Sequence, residues 1–208
     1  MKPEFLSNIN CFRICIVCEG YEEFDYFDKL VSLNVFNGVY SFELENAKGN
    51  GNIFSRYQDK YQSDAFDVVL IFCDTERKPC KQYSNIKVKI NEFHDNENAA
   101  SKVIIFGNPC TMQIILSHFA DVKIRRAAKS KNAPLIKELT GISNYNANGE
   151  KRKALMDQIN EENYWRMLNA LKDISDDDTE ISSTNFYYFA NLFMEDDGTW
   201  IDELNDIL

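Results

Sequence analysis

The sequence predicts an α/β fold in which a parallel sheet is flanked by helices. Short, continuously apolar runs of strand length stop abruptly at an acid or a glycine, as expected of strands covered on both faces. Segments with apolar residues at helical spacing separate these runs. Four strand candidates alternating with helices predict right-handed parallel crossovers.

Residues 12–18 read as a buried strand interrupted only by Arg13, and Phe24, Phe27, Leu30 and Val31 then recur at helical spacing behind Gly20. Residues 39–44 have strand character, and Gly49-Asn50-Gly51-Asn52 leads from them into an amphipathic segment at 53–61. Val68-Val69-Leu70-Ile71-Phe72-Cys73 is the clearest strand and runs into Asp74-Thr75-Glu76. Residues 81–93 supply the next crossover helix, and residues 103–106 the fourth strand.

Gly107-Asn108-Pro109 punctuates that strand. Asn108 suits an N-cap and Pro109 the first helical position, which predicts a helix over 110–119 with Met112, Ile115, Leu116 and Phe119 on one face. Beyond about residue 120 the pattern is helical, with periodic segments at 150–171 and 186–208. We therefore expect an α/β core at 1–120 and a helical C-terminal subdomain at 121–208 packed on it.

A chain of 208 residues with 44% hydrophobic content can bury a real core. It has no leader-like or membrane-spanning run, which predicts a soluble, cytoplasmic protein without membrane contact. The six cysteines read mainly as buried thiols. Cys15 and Cys18 have C-x-x-C spacing but would face opposite sides of a strand, which argues against a zinc pair.

The net charge of -10 argues against broad, nonspecific adhesion to nucleic acid. It leaves open a metal-dependent enzyme, because a bound cation reverses the field that a phosphate meets. Lys123, Arg125, Arg126, Lys129 and Lys131 form a basic run, and Asp173, Asp176, Asp177, Asp178 and Glu180 an acidic one. Each reads equally well as a solvated surface.

The acids at strand ends carry the chemistry. Ligands of α/β sheets collect outside the carboxyl ends of the strands, which is where Glu19, Asp74 and Glu76 fall, with Glu23 one helical turn on. Such a group of oxygen donors suits Mg²⁺ or Mn²⁺. The bland alternative for Glu22 and Glu23 is favourable interaction with a helix dipole.

Glu19, Gly20, Glu23, Tyr26 and Phe27, in the order E-G-x-x-E-x-x-Y-F, followed by D-x-E at Asp74 and Glu76, resemble the Toprim motif set of topoisomerases, primases and OLD-type nucleases. Asn108-Pro109-Cys110 followed by His118-Phe119 resembles the N-P-C-F-E-x-W-x-L-L-H-F signature of RloB-like Toprim proteins found with bacterial restriction and phage-defence loci. Ser183-Thr184-Asn185-Phe186-Tyr187 is similar to their S-T-N-x-Y element. The family carries Asp at the position of Glu76 and Glu at the position of Met112.

The resemblance implies a Toprim-like Rossmannoid sheet with a helical C-terminal extension. Glu19 would be a general acid/base or metal ligand, and Asp74, Glu76 and Glu23 would hold Mg²⁺ or Mn²⁺. The implied activity is phosphodiester transfer on DNA or RNA in bacterial defence. By their position beside the acid pair, Arg77 and Lys78 would touch substrate phosphate, as would the Lys123 to Lys131 run, with surface solvation an equal reading for both. His118 would bind phosphate or orient a carboxylate or, by the local reading, be a buried histidine with a hydrogen-bond partner. No P-loop is present, so there is no ATP site and an ATPase or other defence partner would be a separate chain. The alternative is a noncatalytic Toprim scaffold that binds nucleic acid, a nucleotide or a partner protein.

Overall fold

The computed structural model describes residues 11–76 and 80–208. A four-stranded, all-parallel sheet is built from β1 (Phe12–Cys18), β2 (Tyr40–Asn46), β3 (Val68–Asp74) and β4 (Ile104–Gly107), in the order β2-β1-β3-β4. The chain steps from β1 outward to β2, then returns across β1 to β3, so the strand order reverses between β1 and β3. Such a switch point leaves a crevice at the carboxyl ends of those two strands.

The crossovers are α1 (Tyr21–Ser32), α2 (Asn50–Tyr61) and α3 (Lys81–Phe93), with a short α4 (Ala99–Val103) ahead of β4. Registry sorts the sheet into two faces. Ile14, Phe42 and Val68 align across β2, β1 and β3, as do Cys18, Asn46 and Phe72. On this face Phe27 of α1 stacks its ring among Phe36, Phe42, Phe72 and Phe193. On the opposite face Tyr83 of α3 meets Phe106, and Lys60 of α2 reaches Glu43 and Glu45 of β2. Cys15 and Cys18 do fall on opposite faces, and both are fully buried. Cys11, in contrast, is exposed rather than buried.

The C-terminal half is helical: α5 (Met112–Ser117), α6 (Lys129–Thr140), α7 (Gly149–Met156), α8 (Glu161–Leu171), α9 (Phe186–Leu192) and α10 (Thr199–Ile207). The periodic segment at 150–171 is two helices, because Asn160 accepts from Asn163 N–H and starts α8 afresh. That at 186–208 is broken at Gly198, whose φ of 67° and contact with the Phe12 ring leave no room for a Cβ. Phe186 of α9 packs on Phe72 and Tyr26, so these helices complete the core over the α1 face.

The exposed edge of β4 is closed by a side chain. Asn185 accepts from Phe106 N–H at 2.9 Å and donates to Ile104 carbonyl at 2.7 Å, reproducing the pairing of a neighbouring strand. Thr184 adds an antiparallel bridge to Gly107. Among the described residues no helix is long and apolar enough to cross a membrane.

Candidate active site

The switch point gathers acids. β1 ends at Cys18, and Glu19 lies beside the last residues of β3, where its Oε2 accepts from Asp74 N–H at 3.0 Å. Its own N–H donates to the Phe72 carbonyl at 2.9 Å, and its carbonyl accepts from Gly49 N–H at 2.8 Å. Glu19 is thus fixed by both strands and by the loop after β2.

Glu23 sits in the first turn of α1, 4% exposed, and its Oε2 accepts from Gly20 N–H at 3.1 Å. It therefore also serves the helix start, as the back-bonding residue of a capping box does. Gly20 has an ordinary extended backbone, and an added Cβ would only reach Glu23 Oε2 at 3.5 Å.

Asp74 ends β3, and its Oδ1 accepts from both the N–H and the hydroxyl of Thr111 at 2.7 Å each. This double anchor depends on Gly107. A Cβ there would lie 2.8 Å from Cys110 C and Thr111 N, so glycine lets the 108–111 turn fold back over the strand end. Glu76 follows with a φ of 59° and is near enough to raise the Glu19 pKa.

Burial and mutual repulsion hold protons on this group. Glu19 is pushed up from 4.5 to about 8 by burial first and by the Glu23 charge next. Glu23 is pushed up to about 7 by burial and by Glu22. Asp74 rises well above the usual carboxylate range, from burial and then from Glu23 and Glu19. The cluster lacks positive charge, a demand that a cation would meet.

One lysine at the edge of the cluster partly answers it. Lys129, at the start of α6, donates to Glu22 Oε2 at 2.7 Å, while Tyr145 donates to Glu22 Oε1 at 2.6 Å. Burial works against the Lys129 charge, but Glu22, Glu23 and Asp74 outweigh it and raise the ammonium pKa. Both Glu22 oxygens are occupied, so Glu22 positions Lys129 and leaves the open acids to Glu19, Glu23 and Asp74. The basic run singled out Lys129 only as one of five cations. Its pairing with Glu22 joins residues 107 apart in sequence, a relationship that no local pattern carries.

Among the described residues no group of three or more His, Cys, Asp or Glu side chains is arranged to hold a metal ion. The donors nevertheless fit Mg²⁺ or Mn²⁺ in its usual enzymic mode, in which one or two carboxylates bind and water and substrate phosphate complete the shell. Each of Glu19 and Asp74 is anchored through a single oxygen, and among the described residues no hydrogen bond reaches Glu19 Oε1 or Asp74 Oδ2.

Asn108 is no N-cap: α5 begins only at Met112, after a cis Asn108–Pro109 peptide. The Asn108 amide instead donates to the Asp178 and Glu180 carbonyls at 2.8 and 2.7 Å, tying the 178–183 segment to the end of β4. Capping failed because the 110–111 turn is committed to Asp74. Cys110 is buried beside Asn132 Nδ2, and burial raises its thiol pKa strongly. Met112 is 1% exposed and belongs to the core, like every residue of α5.

His118 is also buried. Its Nδ1 meets Asn163 Oδ1 at 3.1 Å, and that oxygen is identified because it accepts from Asn160 N–H while Asn163 Nδ2 donates to the Gln158 carbonyl. Nδ1 therefore carries the proton, and Nε2 accepts from the Tyr26 hydroxyl at 3.0 Å. Burial lowers the His118 pKa to about 4, so the ring is neutral. It joins α5 to α1 and α8 inside the fold and presents no group to a phosphate. Arg77 and Lys78 lie outside the described residues.

No protein-family model, curated protein or solved structure matches the chain.

Proposed function

We propose that the chain is a Mg²⁺- or Mn²⁺-dependent phosphodiesterase acting on nucleic acid, a nuclease of the Toprim, RloB-like type in bacterial defence. The observation that carries this reading is the convergence of Glu19, Glu23 and Asp74 at the β1/β3 switch point, with pKa values raised by burial and by one another's charge. The motif elements quoted for the resemblance also touch one another: Tyr26 bonds His118, and Asn108 bonds the segment leading to Ser183.

Glu19 and Asp74 would hold the cation through their open oxygens, with Glu23 beside them. A bound divalent ion polarises the phosphate, activates water and stabilises the leaving oxygen. The protein's own groups do the rest. Thr111 and the Asp74 N–H keep two carboxylates in fixed orientation, so little reorganisation accompanies charge development. A glutamate poised near neutral pH, as Glu23 is, can accept a proton from water and return it to the leaving group. Lys129 balances the excess negative charge against an incoming phosphate.

The buried Met112, where the family carries Glu, favours a second reading, a noncatalytic scaffold that binds nucleic acid, a nucleotide or a partner protein. Mn²⁺ titration separates the two. The enzyme reading expects a raised melting temperature and cleavage of a labelled oligonucleotide, both lost in Asp74→Ala. Absence of cleavage by the wild type across DNA and RNA substrates would leave the scaffold.

A further inference from the structure

Residues 121–128 form a strap between α5 and α6 that belongs to no helix or strand, with exposure and burial alternating along 121–125. Val122 and Ile124 are buried, whereas Lys123, Arg125 and Arg126 are exposed. Gln113, fully buried, holds the strap with both ends of its amide: Nε2 donates to the Val122 carbonyl at 2.9 Å, and Oε1 accepts from Ile124 N–H at 2.8 Å. Ser182 donates to the Ile124 carbonyl at 2.7 Å, and Asn132 to the Arg126 carbonyl at 2.9 Å.

Four side-chain bonds to main chain make this an ordered segment whose backbone needs little further ordering on binding. Among the described residues Lys123, Arg125, Arg126 and Lys131 make no ion pair. The strap then ends at Lys129, which is bonded to Glu22 beside the carboxylates. On a chain with net charge -10, a row of cations without ion-pair partners, set on an anchored main chain that leads to the acidic centre, is a local reversal of sign.

We propose that this strap is the backbone track for a single strand of nucleic acid whose next phosphate lies at the Glu19/Asp74 centre. The inference rests on the nuclease reading and adds to it the surface that selects a polymeric substrate. Like-facing residues of an extended chain, such as Lys123 and Arg125, are about 6.6 Å apart. That step is comparable with the spacing of phosphates along an extended strand, so successive cations meet successive phosphates. Base edges are not contacted by such a track, and recognition along it is independent of sequence.

The test pairs Lys123→Glu/Arg125→Glu with a control of equal charge change, Lys89→Glu/Lys102→Glu, on exposed positions of α3 and α4. Binding of a fluorescent single-stranded oligonucleotide is followed by anisotropy against salt, and Mn²⁺-supported hydrolysis of bis(p-nitrophenyl) phosphate is followed in parallel. The strap variant is expected to lose at least about tenfold in affinity, with the log–log salt slope reduced by about 1.4, while the control stays near wild type. Unchanged affinity and slope, or equal loss in the control, overturns the track. Hydrolysis of the small diester reports separately on the centre. If neither wild type nor variant hydrolyses it but only the strap variant loses oligonucleotide binding, the track stands and the nuclease reading falls.

Discussion

The main-chain N–H of Asp74 donates to Glu19 Oε2 at 3.0 Å, so the last residue of β3 orients the first residue beyond β1. Two acids 55 positions apart are thereby locked side by side at the reversal of strand order. Four predictions follow from this arrangement and its surroundings.

The first concerns pH in the absence of divalent ions. Folded Glu19 titrates at about 8 and Glu23 at about 7, against 4.5 ordinarily, so between these values the folded protein holds protons that the unfolded chain has released. Their stability contribution is complete below the unfolded pKa and is lost as pH rises through the folded values. The melting temperature in EDTA should fall as pH is raised from about 5 to about 8.5, less so in Glu19→Gln, and Mn²⁺ should restore it most at the alkaline end. A flat or rising EDTA profile would refute the carboxylate clustering.

The second concerns Thr111. Thr111→Val removes one of the two bonds to Asp74 Oδ1 and keeps the main-chain one. Loss of a buried bond to a carboxyl group should cost about 1 to 3 kcal/mol in denaturant titration and weaken Mn²⁺ affinity, since Asp74 is less firmly held. Wild-type Mn²⁺ affinity in the variant would deny Thr111 its positioning role.

The third concerns Tyr26 and His118. Tyr26→Phe leaves His118 Nε2 buried without its donor, at about 1 to 3 kcal/mol. Folded His118 titrates near 4 against 6.5 ordinarily, so its contribution is present above pH 6.5 and lost as pH falls towards 4. His118→Gln should flatten the acid side of the stability profile while the alkaline fall remains. Unaltered acid sensitivity would show that the ring is not held neutral.

The fourth concerns the sheet edge. Asn185→Ala frees Phe106 N–H and the Ile104 carbonyl on β4. We expect a loss of about 1 to 3 kcal/mol together with a rise in self-association, read by light scattering. A monomeric variant of wild-type stability would mean that other groups close the edge.

Periodicity and strand-end punctuation were enough for β1, α1, β3 and α3, because burial on both sheet faces forces apolar runs and a helix packed on the sheet repeats its apolar residues every three to four positions. Residues 110–119 were harder. Asn108-Pro109 carries the local chemistry of a helix start, yet Asn108 is drawn to the Asp178 and Glu180 carbonyls and the helix waits until Met112. At residues 150–171 the apolar period runs through a real interruption, since Ile159 is buried although no helix includes it.

By itself, the sequence determined the strands and the order in which acids follow them, since apolar runs and their endpoints are local properties. Tertiary structure alone decided which polar group meets which. Thr111 on Asp74, Lys129 and Tyr145 on Glu22, and Gln113 on the strap at 122–124 all join distant segments, and a hydrogen bond between them depends on where packing brings two chains of atoms. The pKa values followed from that placement, because burial and neighbouring charge belong to the folded state and to no single stretch of chain.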